Sequence, residues 1–183
     1  MYKLILALLL LISVTGANAQ EKYMSRTGHV SFFGETPLET IEAHNNQVAT
    51  VINIKNGTIA FDILIKSFKF ERALMEEHFN ENYIESSKFP KSTFSGKFVD
   101  FDVSNFTKPG SYSVNVEGDL TIHGIKKHVK TKGAMEVKAG KISAKTKFSV
   151  KLADYGIQIP SLVKDKITPN FDINVDVSYE PFK

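Results

Sequence analysis

The sequence contains no cysteine, and this absence removes several classes of site at once. A chain without thiols forms no disulfides, presents no thiolate nucleophile and cannot bind a metal through cysteine. It also lacks the cysteine that would follow the leader of a bacterial lipoprotein and carry its lipid. A folded domain built from this chain must therefore be stabilised by its own apolar core.

Tryptophan is also absent, whereas 14 phenylalanines are present. A phenylalanine ring is large and apolar and carries no polar group, so it suits either a packed core or the wall of a pocket. Periodicity alone does not separate these two outcomes.

The common catalytic motifs are missing as well. The chain has no Gly-x-Ser-x-Gly, no His-Glu-x-x-His and no glycine-rich loop that could hold a phosphate. His123 and His128 flank a predicted turn and could face one another across it, but two imidazoles without a carboxylate supply half of a zinc site. We therefore expect no enzyme, no metal site and no cofactor. An enzyme acting on lipid, with His123 or His128 as its base, is an alternative.

The N-terminus has the features of a secretory leader. Lys3 supplies a positive charge, Leu4 to Ile12 is an unbroken apolar run, and Ala17-Asn18-Ala19 is a small-x-small cleavage signal. The run is too short for a membrane span. The pattern predicts a signal peptide at 1–19, one domain at 20–183 and a periplasmic location; a retained membrane anchor is the alternative.

Alternation of apolar and polar residues is the strongest structural signal. In residues 141–152 the apolar side chains fall mostly on even positions, and residues 113–122 and 170–180 show the same period of two. Side chains alternate across a strand, so each segment is predicted to have one buried and one solvated face. Parallel strands are apolar on both faces, so these strands are predicted to be antiparallel.

Turn residues separate the alternating segments. Asn56-Gly57 is a strong hairpin signal, and Ala139-Gly140, Lys108-Pro109-Gly110 and His123-Gly124 mark further reversals. The combined pattern predicts eight strands at about 22–33, 38–54, 58–68, 91–101, 111–123, 126–138, 141–153 and 170–180.

Two segments break the strand pattern. Residues Phe70 to Asn82 carry Leu74, Met75, His78 and Phe79 at helical spacing and are predicted to form a helix. Residues 154–169, with two prolines, are predicted to form a loop with at most one helical turn. Eight antiparallel strands make either a sandwich or a closed barrel, and an eight-stranded barrel is filled by side chains or holds one small ligand.

Several pieces of the chain resemble the YceI-like family of bacterial periplasmic proteins, in the same order and over nearly the whole mature length. The pieces are Ser67–Phe70 with Met75–Phe79, Phe89–Phe94, Gly118–Gly124 and Asp154–Ile157. The resemblance implies an all-β fold, an eight-stranded antiparallel lipocalin-like barrel with one covering helix and a long apolar channel. It also implies a polyisoprenoid or similar amphiphilic lipid as the ligand.

This chain departs from the family pattern at two places. Ile125 stands where relatives often have threonine, and Leu152-Ala153 stands where they often carry an arginine. If that arginine contacts a head group in relatives, this protein lacks the contact.

The inward-facing positions of the predicted strands and helix form the candidate ligand-binding set. Its members are Phe61, Ile63, Ile65, Leu74, Met75, Phe79, Phe94, Phe98, Val114, Val116, Leu120, Ile122, Ile142, Ala144, Phe148, Val150, Phe171, Ile173 and Val175. Ala144, Gly96 and Gly118 lack bulk and are expected to leave room for a ligand.

Residues 126–151 are rich in lysine. Nine lysines and one acid lie between Lys126 and Lys151, and Lys145, Lys147 and Lys151 are candidate head-group contacts. Such a region attracts an anionic head group or a membrane surface, or it keeps a strand face soluble. Nucleic acid is not an expected partner of an exported chain.

The sequence thus predicts non-catalytic binding, transport or sequestration of an apolar, isoprenoid-type lipid. The alternative is a structural or interaction protein of the cell envelope, with a packed barrel and no lipid.

Overall fold

The structure is a computed structural model that describes residues 21–182. The predicted signal peptide at 1–19 lies outside the described residues. The regular elements are β1 (Lys22–Thr36), β2 (Glu39–Asn53), β3 (Thr58–Leu64), β4 (Lys69–Phe70), α1 (Ala73–His78), β5 (Lys91–Val99), β6 (Gly110–Ile122), β7 (Ile125–Lys138), β8 (Lys141–Lys151) and β9 (Asn170–Pro181).

Eight of the strands close into an antiparallel barrel. Their order around the barrel is β1, β9, β8, β7, β6, β5, β3 and β2, and β2 pairs with β1 to complete the ring. The two-residue strand β4 adds to the side of β2. The predicted fold class, an eight-stranded antiparallel barrel with one helix, is confirmed.

The predicted boundaries are corrected at several element ends. The third strand stops at Leu64 rather than 68, because Ile65–Ser67 turn as a 3-10 helix before β4. Strand β8, predicted at 141–153, stops at Lys151, where a second 3-10 turn, Leu152–Tyr155, begins. The sequence contained no signal for β4, which is too short to alternate.

The helix is shorter than predicted. It begins at Ala73 rather than Phe70, because Phe70 pairs with Ala43 of β2, and after His78 the chain widens into one π-helical turn, Phe79–Tyr83. None of the helices in residues 21–182 is long and apolar enough to cross a membrane. The predicted loop at 154–169 contains a second short helical turn at Ser161–Val163.

Backbone conformation explains the tight turns. His123-Gly124 and Ala139-Gly140 all have positive φ, and the strand pairs on either side are Ile122 with Ile125 and Lys138 with Lys141. Both connections are two-residue hairpins of the kind that matches strand twist. At the Asn56-Gly57 signal the hairpin has a four-residue loop instead, since Asn53 pairs with Thr58.

The interior contains two apolar clusters, one towards each end of the barrel. Towards the end that contains the 103–107 turn, Phe106 packs edge-to-face on Phe98 and Phe101, and Ile52, Met135 and Tyr179 are fully buried around them. We call this the closed end. Towards the other end, which α1 covers, the cluster includes Phe68, Val150 and Phe171. We call this the mouth.

Candidate functional site

A cavity of about 540 Å³ lies between the two apolar clusters. Its wall is almost entirely hydrocarbon, contributed by every strand of the barrel and by α1. On β9 alone, five alternate residues from Phe171 to Tyr179 line it. At about 3.4 Å per residue and a strand tilt near 40°, the cavity extends over roughly 20 Å of the barrel axis. It is a long apolar channel of the size that encloses one lipid-like ligand.

Eighteen of the nineteen predicted interior residues line this cavity. They are Phe61, Ile63, Ile65, Leu74, Met75, Phe79, Phe94, Phe98, Val114, Val116, Leu120, Ile122, Ala144, Phe148, Val150, Phe171, Ile173 and Val175. Ile142 does not belong to the lining and packs in the core of the closed end, where it is fully buried. Alternation identifies the inward face of a strand, but the depth of a residue along the barrel is set by what plugs each end.

The glycine prediction is wrong for two of its three positions. Ala144 lines the cavity, whereas Gly96 and Gly118 face one another across β5 and β6 and are covered by the Phe94 ring. A Cβ built on Gly118 would lie 2.4 Å from Ser95 O and 2.9 Å from Phe94 Cζ. These glycines allow close strand contact, and the space beside them is already filled.

The mouth is formed by aromatic rings, and the sequence interpretation missed three of them, Phe32, Phe68 and Phe70. Phe32 of β1 lies 5.2–5.7 Å, centroid to centroid, from Phe68, Phe70, Phe79 and Phe171. Phe32 was missed because irregular pairing between Ser25 and Val30 interrupts the alternation of β1. The ion pair between Arg72 and Glu39, at 2.5 Å, lies on the edge of the same opening.

The closed end contains one polar contact within the apolar wall. The Tyr179 hydroxyl lies 3.0 Å from Thr50 Oγ1, and both groups are buried. Burial raises the pKa of the Tyr179 hydroxyl well above its usual range, so it stays neutral and acts as a hydrogen-bonding group. Paired in this way, it does not carry a charge into the cavity.

The predicted head-group lysines lie mainly on the outer surface. Lys145 Nζ is 2.7 Å from Asp176 and Lys147 Nζ is 2.8 Å from Asp172, both on the neighbouring strand β9. Of the three predicted contacts, Lys145 borders the cavity, and Lys147 and Lys151 are not among its described lining residues. Head-group contact by these side chains remains a prediction, and the ion pairs with Asp176 and Asp172 engage two of the three ammonium groups on the outer surface.

The two histidines of the catalytic alternative do not meet and do not line the cavity in the described part of the chain. His123 Nδ1 lies 3.1 Å from Tyr155 O and its Nε2 lies 2.9 Å from Glu85, whereas His128 pairs with Asp119 on the outer face. His78 on α1 borders the mouth. Among residues 21–182, no three His, Asp or Glu side chains are grouped so as to hold a metal ion.

Solved structures with the same barrel include proteins from three bacteria. A polyisoprenoid binding domain from Saccharophagus degradans, implicated in plant cell wall breakdown, is 15% identical, with a TM-score of 0.77 over 89% of this chain and 99% of that one. BcnA of Burkholderia cenocepacia is 13% identical (TM-score 0.70; 82% and 95% covered), and the Campylobacter jejuni YCEI protein is 16% identical (0.63; 79% and 87%). At these identities the likeness shows the fold alone.

No curated protein sequence matches the chain. The family comparison is more direct, because the model of the YceI-like domain matches residues 22–179, nearly all of the described chain. The chain belongs to the YceI-like domain family.

Proposed function

We propose that this protein binds an apolar lipid of the isoprenoid class inside the barrel and carries or sequesters it without catalysing a reaction. The observation that carries the proposal is the 540 Å³ channel with an almost wholly hydrocarbon wall. Transfer of each CH₂ group from water to such a wall contributes about 0.8 kcal/mol. A chain of several isoprene units therefore gains enough free energy to bind after the cost of association.

The fold comparisons support the ligand class. The Saccharophagus degradans domain with the same barrel is described as polyisoprenoid binding. An isoprenoid is a branched, flexible hydrocarbon, and the phenylalanines and β-branched residues of the wall offer it dispersion contacts along the channel. The proposed location is the periplasm, to which the leader at 1–19 would direct export before it is cleaved.

The alternative of a packed barrel with a purely structural role does not fit a channel of this volume. The alternative of a lipid-acting enzyme places the base at His123 or His128. His123 is held by Glu85 and the Tyr155 carbonyl, and His128 lies on the outside of the barrel. Neither is positioned to take a proton from a molecule in the channel.

A pair of substitutions tests the binding proposal. Ala144 lines the channel and Ala49 is exposed on the outer face of β2, so Ala144→Phe fills the site and Ala49→Phe adds the same ring outside. The affinity for geranylgeraniol is measured by its displacement of an apolar fluorophore. It is expected to weaken at least tenfold in Ala144→Phe and to stay within twofold of wild type in Ala49→Phe. Both variants must first show a wild-type circular dichroism spectrum. Equal affinities in the two folded variants would exclude the channel as the binding site.

A further inference from the structure

The barrel has a second opening, in its side wall between β7 and β8. These strands pair from Lys138 and Lys141 up to Gly133 and Thr146, and beyond that point the described residues 125–132 and 147–151 do not pair with one another. Both segments continue to pair on their other sides, with β6 and β9. The two strands therefore diverge towards the mouth while remaining regular strands. We call the gap between them the window.

Local chemistry explains why the ladder stops at this point. Thr146 Oγ1 donates a 2.7 Å hydrogen bond to Lys132 O, so a side chain occupies the acceptor that the next ladder bond would use. Thr131 Oγ1 lies 2.8 Å from the same hydroxyl. Gly133 permits close contact, since a Cβ there would lie 2.7 Å from Lys145 O.

The far end of the window is closed by the turn Leu152–Tyr155. Tyr155 O lies 3.1 Å from His123 Nδ1 in the β6–β7 hairpin, and Leu152 N–H donates to Pro169 O at 2.9 Å. The gap is thus a bounded opening, with roughly 20 Å of β7 along one side at the usual rise of a strand.

The channel extends to the inner side of this window. Val129 and Phe148, on the inner faces of the two diverging strands, line it. Ala134 and Lys145 also border it, although they are a cross-strand pair on the outer face, next to the last ladder pair. The channel therefore extends to the point in the wall where the ladder between β7 and β8 ends.

Cations without partners surround the window. Lys127, Lys132 and Lys151 make no ion pair with any described residue, whereas Lys130 pairs with Glu117, Lys145 with Asp176 and Lys147 with Asp172. If the ladder continued in register, position 127 would lie opposite 152, and 132 opposite 147. Lys127 and Lys151 therefore flank the upper part of the window and Lys132 its lower end.

Lys127 is the most informative of the three. It pairs with Leu120 of β6, whose buried side chain lines the channel, and cross-strand partners point to the same face of a sheet. Lys127 is thus a cation on the channel side of β7, exposed at the place where the neighbouring strand has moved away. Asp154, in the turn that closes the window, makes no ion pair among the described residues, so this turn sets one acid against the three lysines and the rim keeps an excess of positive charge.

We propose that the window is where the polar end of the bound lipid leaves the channel, and that this end is a phosphate-type anion held by Lys127, Lys132 and Lys151. The proposal rests on lipid binding in the channel and adds the chemical class of the head group and its position. The unpaired edges of β7 and β8 supply additional backbone N–H groups to an anion there. The hydrocarbon tail stays in the barrel, and the charge stays in water at the side of the barrel rather than at the mouth.

The test compares two probes with the same tail, geranylgeranyl diphosphate and geranylgeraniol. Wild-type protein is expected to bind the diphosphate about tenfold or more tightly than the alcohol at low salt, because charge-assisted hydrogen bonds are gained with the head group. The variant Lys127→Gln/Lys132→Gln/Lys151→Gln is expected to reduce this preference to less than threefold while binding the alcohol as wild type does. The control Lys66→Gln/Lys138→Gln/Lys164→Gln removes three other lysines that make no ion pair in the described chain and is expected to keep the preference.

Each other outcome overturns the proposal in a distinguishable way. Equal affinity of wild-type protein for the two probes, or a preference that survives the first triple variant or disappears in the control, refutes the head-group site but leaves lipid binding in the channel intact. A preference that is lost on the single substitution Lys166→Gln places the head group at the mouth instead, since Lys166 borders that opening. Failure of both probes to bind refutes the proposed function itself.

Discussion

His123 Nε2 lies 2.9 Å from Glu85 Oε2, a contact between the β6–β7 hairpin and the segment that follows α1. The other ring nitrogen, Nδ1, lies 3.1 Å from Tyr155 O in the turn that closes the window. The imidazole, with 12% of the His123 side chain exposed, therefore connects the β6–β7 hairpin to two other segments of the chain. Both His123 and Glu85 have positive φ, at 52° and 46°, so the contact also holds two unfavourable backbone conformations in place.

The first prediction concerns this contact. Asparagine tolerates positive φ, so His123→Asn removes the two hydrogen bonds with little added backbone strain. We expect it to lower the free energy of unfolding by about 1–3 kcal/mol, since the buried Tyr155 carbonyl loses its partner. The check is urea denaturation of His123→Asn, Glu85→Gln and the double variant. Strictly additive effects of the two substitutions would contradict the coupling.

The second prediction concerns the two faces of β8. Phe148 lines the channel and Lys147, the preceding residue, lies outside in an ion pair with Asp172. Phe148→Asp puts a carboxylate against hydrocarbon and is expected to cost several kcal/mol of stability or to prevent folding. Lys147→Gln loses an exposed ion pair and is expected to change stability by less than about 1 kcal/mol. Thermal unfolding of both variants measures this difference in stability. Similar melting temperatures would show that the assignment of the two faces of β8 is wrong.

The channel face of the barrel was predictable because alternation is a local property. In residues 141–152 and 170–180 each strand shows its inward side in the order of its residues, and most of the candidate lining follows from that order. Phe32 escaped because the irregular pairing near Gly28 shifts the face that later residues of β1 present. Ile142 was included because alternation does not report that Phe106 and its neighbours plug that end.

The polar features depended on partners distant in sequence. Nothing near Lys145 or Lys147 indicates that Asp176 and Asp172 lie on the adjacent strand, so their predicted head-group role could not be weighed against an ion pair. The window depends on the hydrogen bond that the Thr146 hydroxyl donates to Lys132 O, and this contact exists only when the two strands have folded together. Gly96 and Gly118 were expected to leave space because the ring of Phe94 that covers them is identifiable only from the structure.

The third prediction concerns Gly118. Alanine there would bring Cβ within 2.4 Å of Ser95 O and Gly96 Cα, and the backbones of β5 and β6 would have to separate. We expect Gly118→Ala to lower the free energy of unfolding by about 1–3 kcal/mol. Gly140→Asn is the matched control, because its surroundings are open and asparagine accepts its positive φ. A Gly118→Ala barrel as stable as Gly140→Asn in urea would contradict the close strand contact.

The fourth prediction concerns acid. Hydrogen bonds from Lys147 and Ser149 lower the pKa of Asp172, a hydrogen bond from Lys130 lowers the pKa of Glu117, and one from Lys69 lowers that of Glu76. A carboxyl whose pKa is lowered in the folded state contributes stability above its unfolded pKa and loses it as the pH falls through the folded value. We therefore expect the urea midpoint to fall steadily below about pH 4.5, the region in which free carboxyl groups begin to protonate.

The acid dependence has its own control. Asp172→Asn removes one of these groups and is expected to flatten the fall in the urea midpoint between about pH 4.5 and pH 2.5 relative to wild type. A steeper or unchanged fall in that variant would mean that the ion pairs on β8 and β9 are not among its causes.

Native mass spectrometry of the intact protein with geranylgeraniol tests the central claim most directly, because it counts bound molecules. The channel predicts one lipid per chain, retained by wild-type protein and by Ala49→Phe and lost from Ala144→Phe. A wild-type spectrum that contains only ligand-free protein at saturating lipid, or the same lipid count in all three proteins, would contradict binding in the channel.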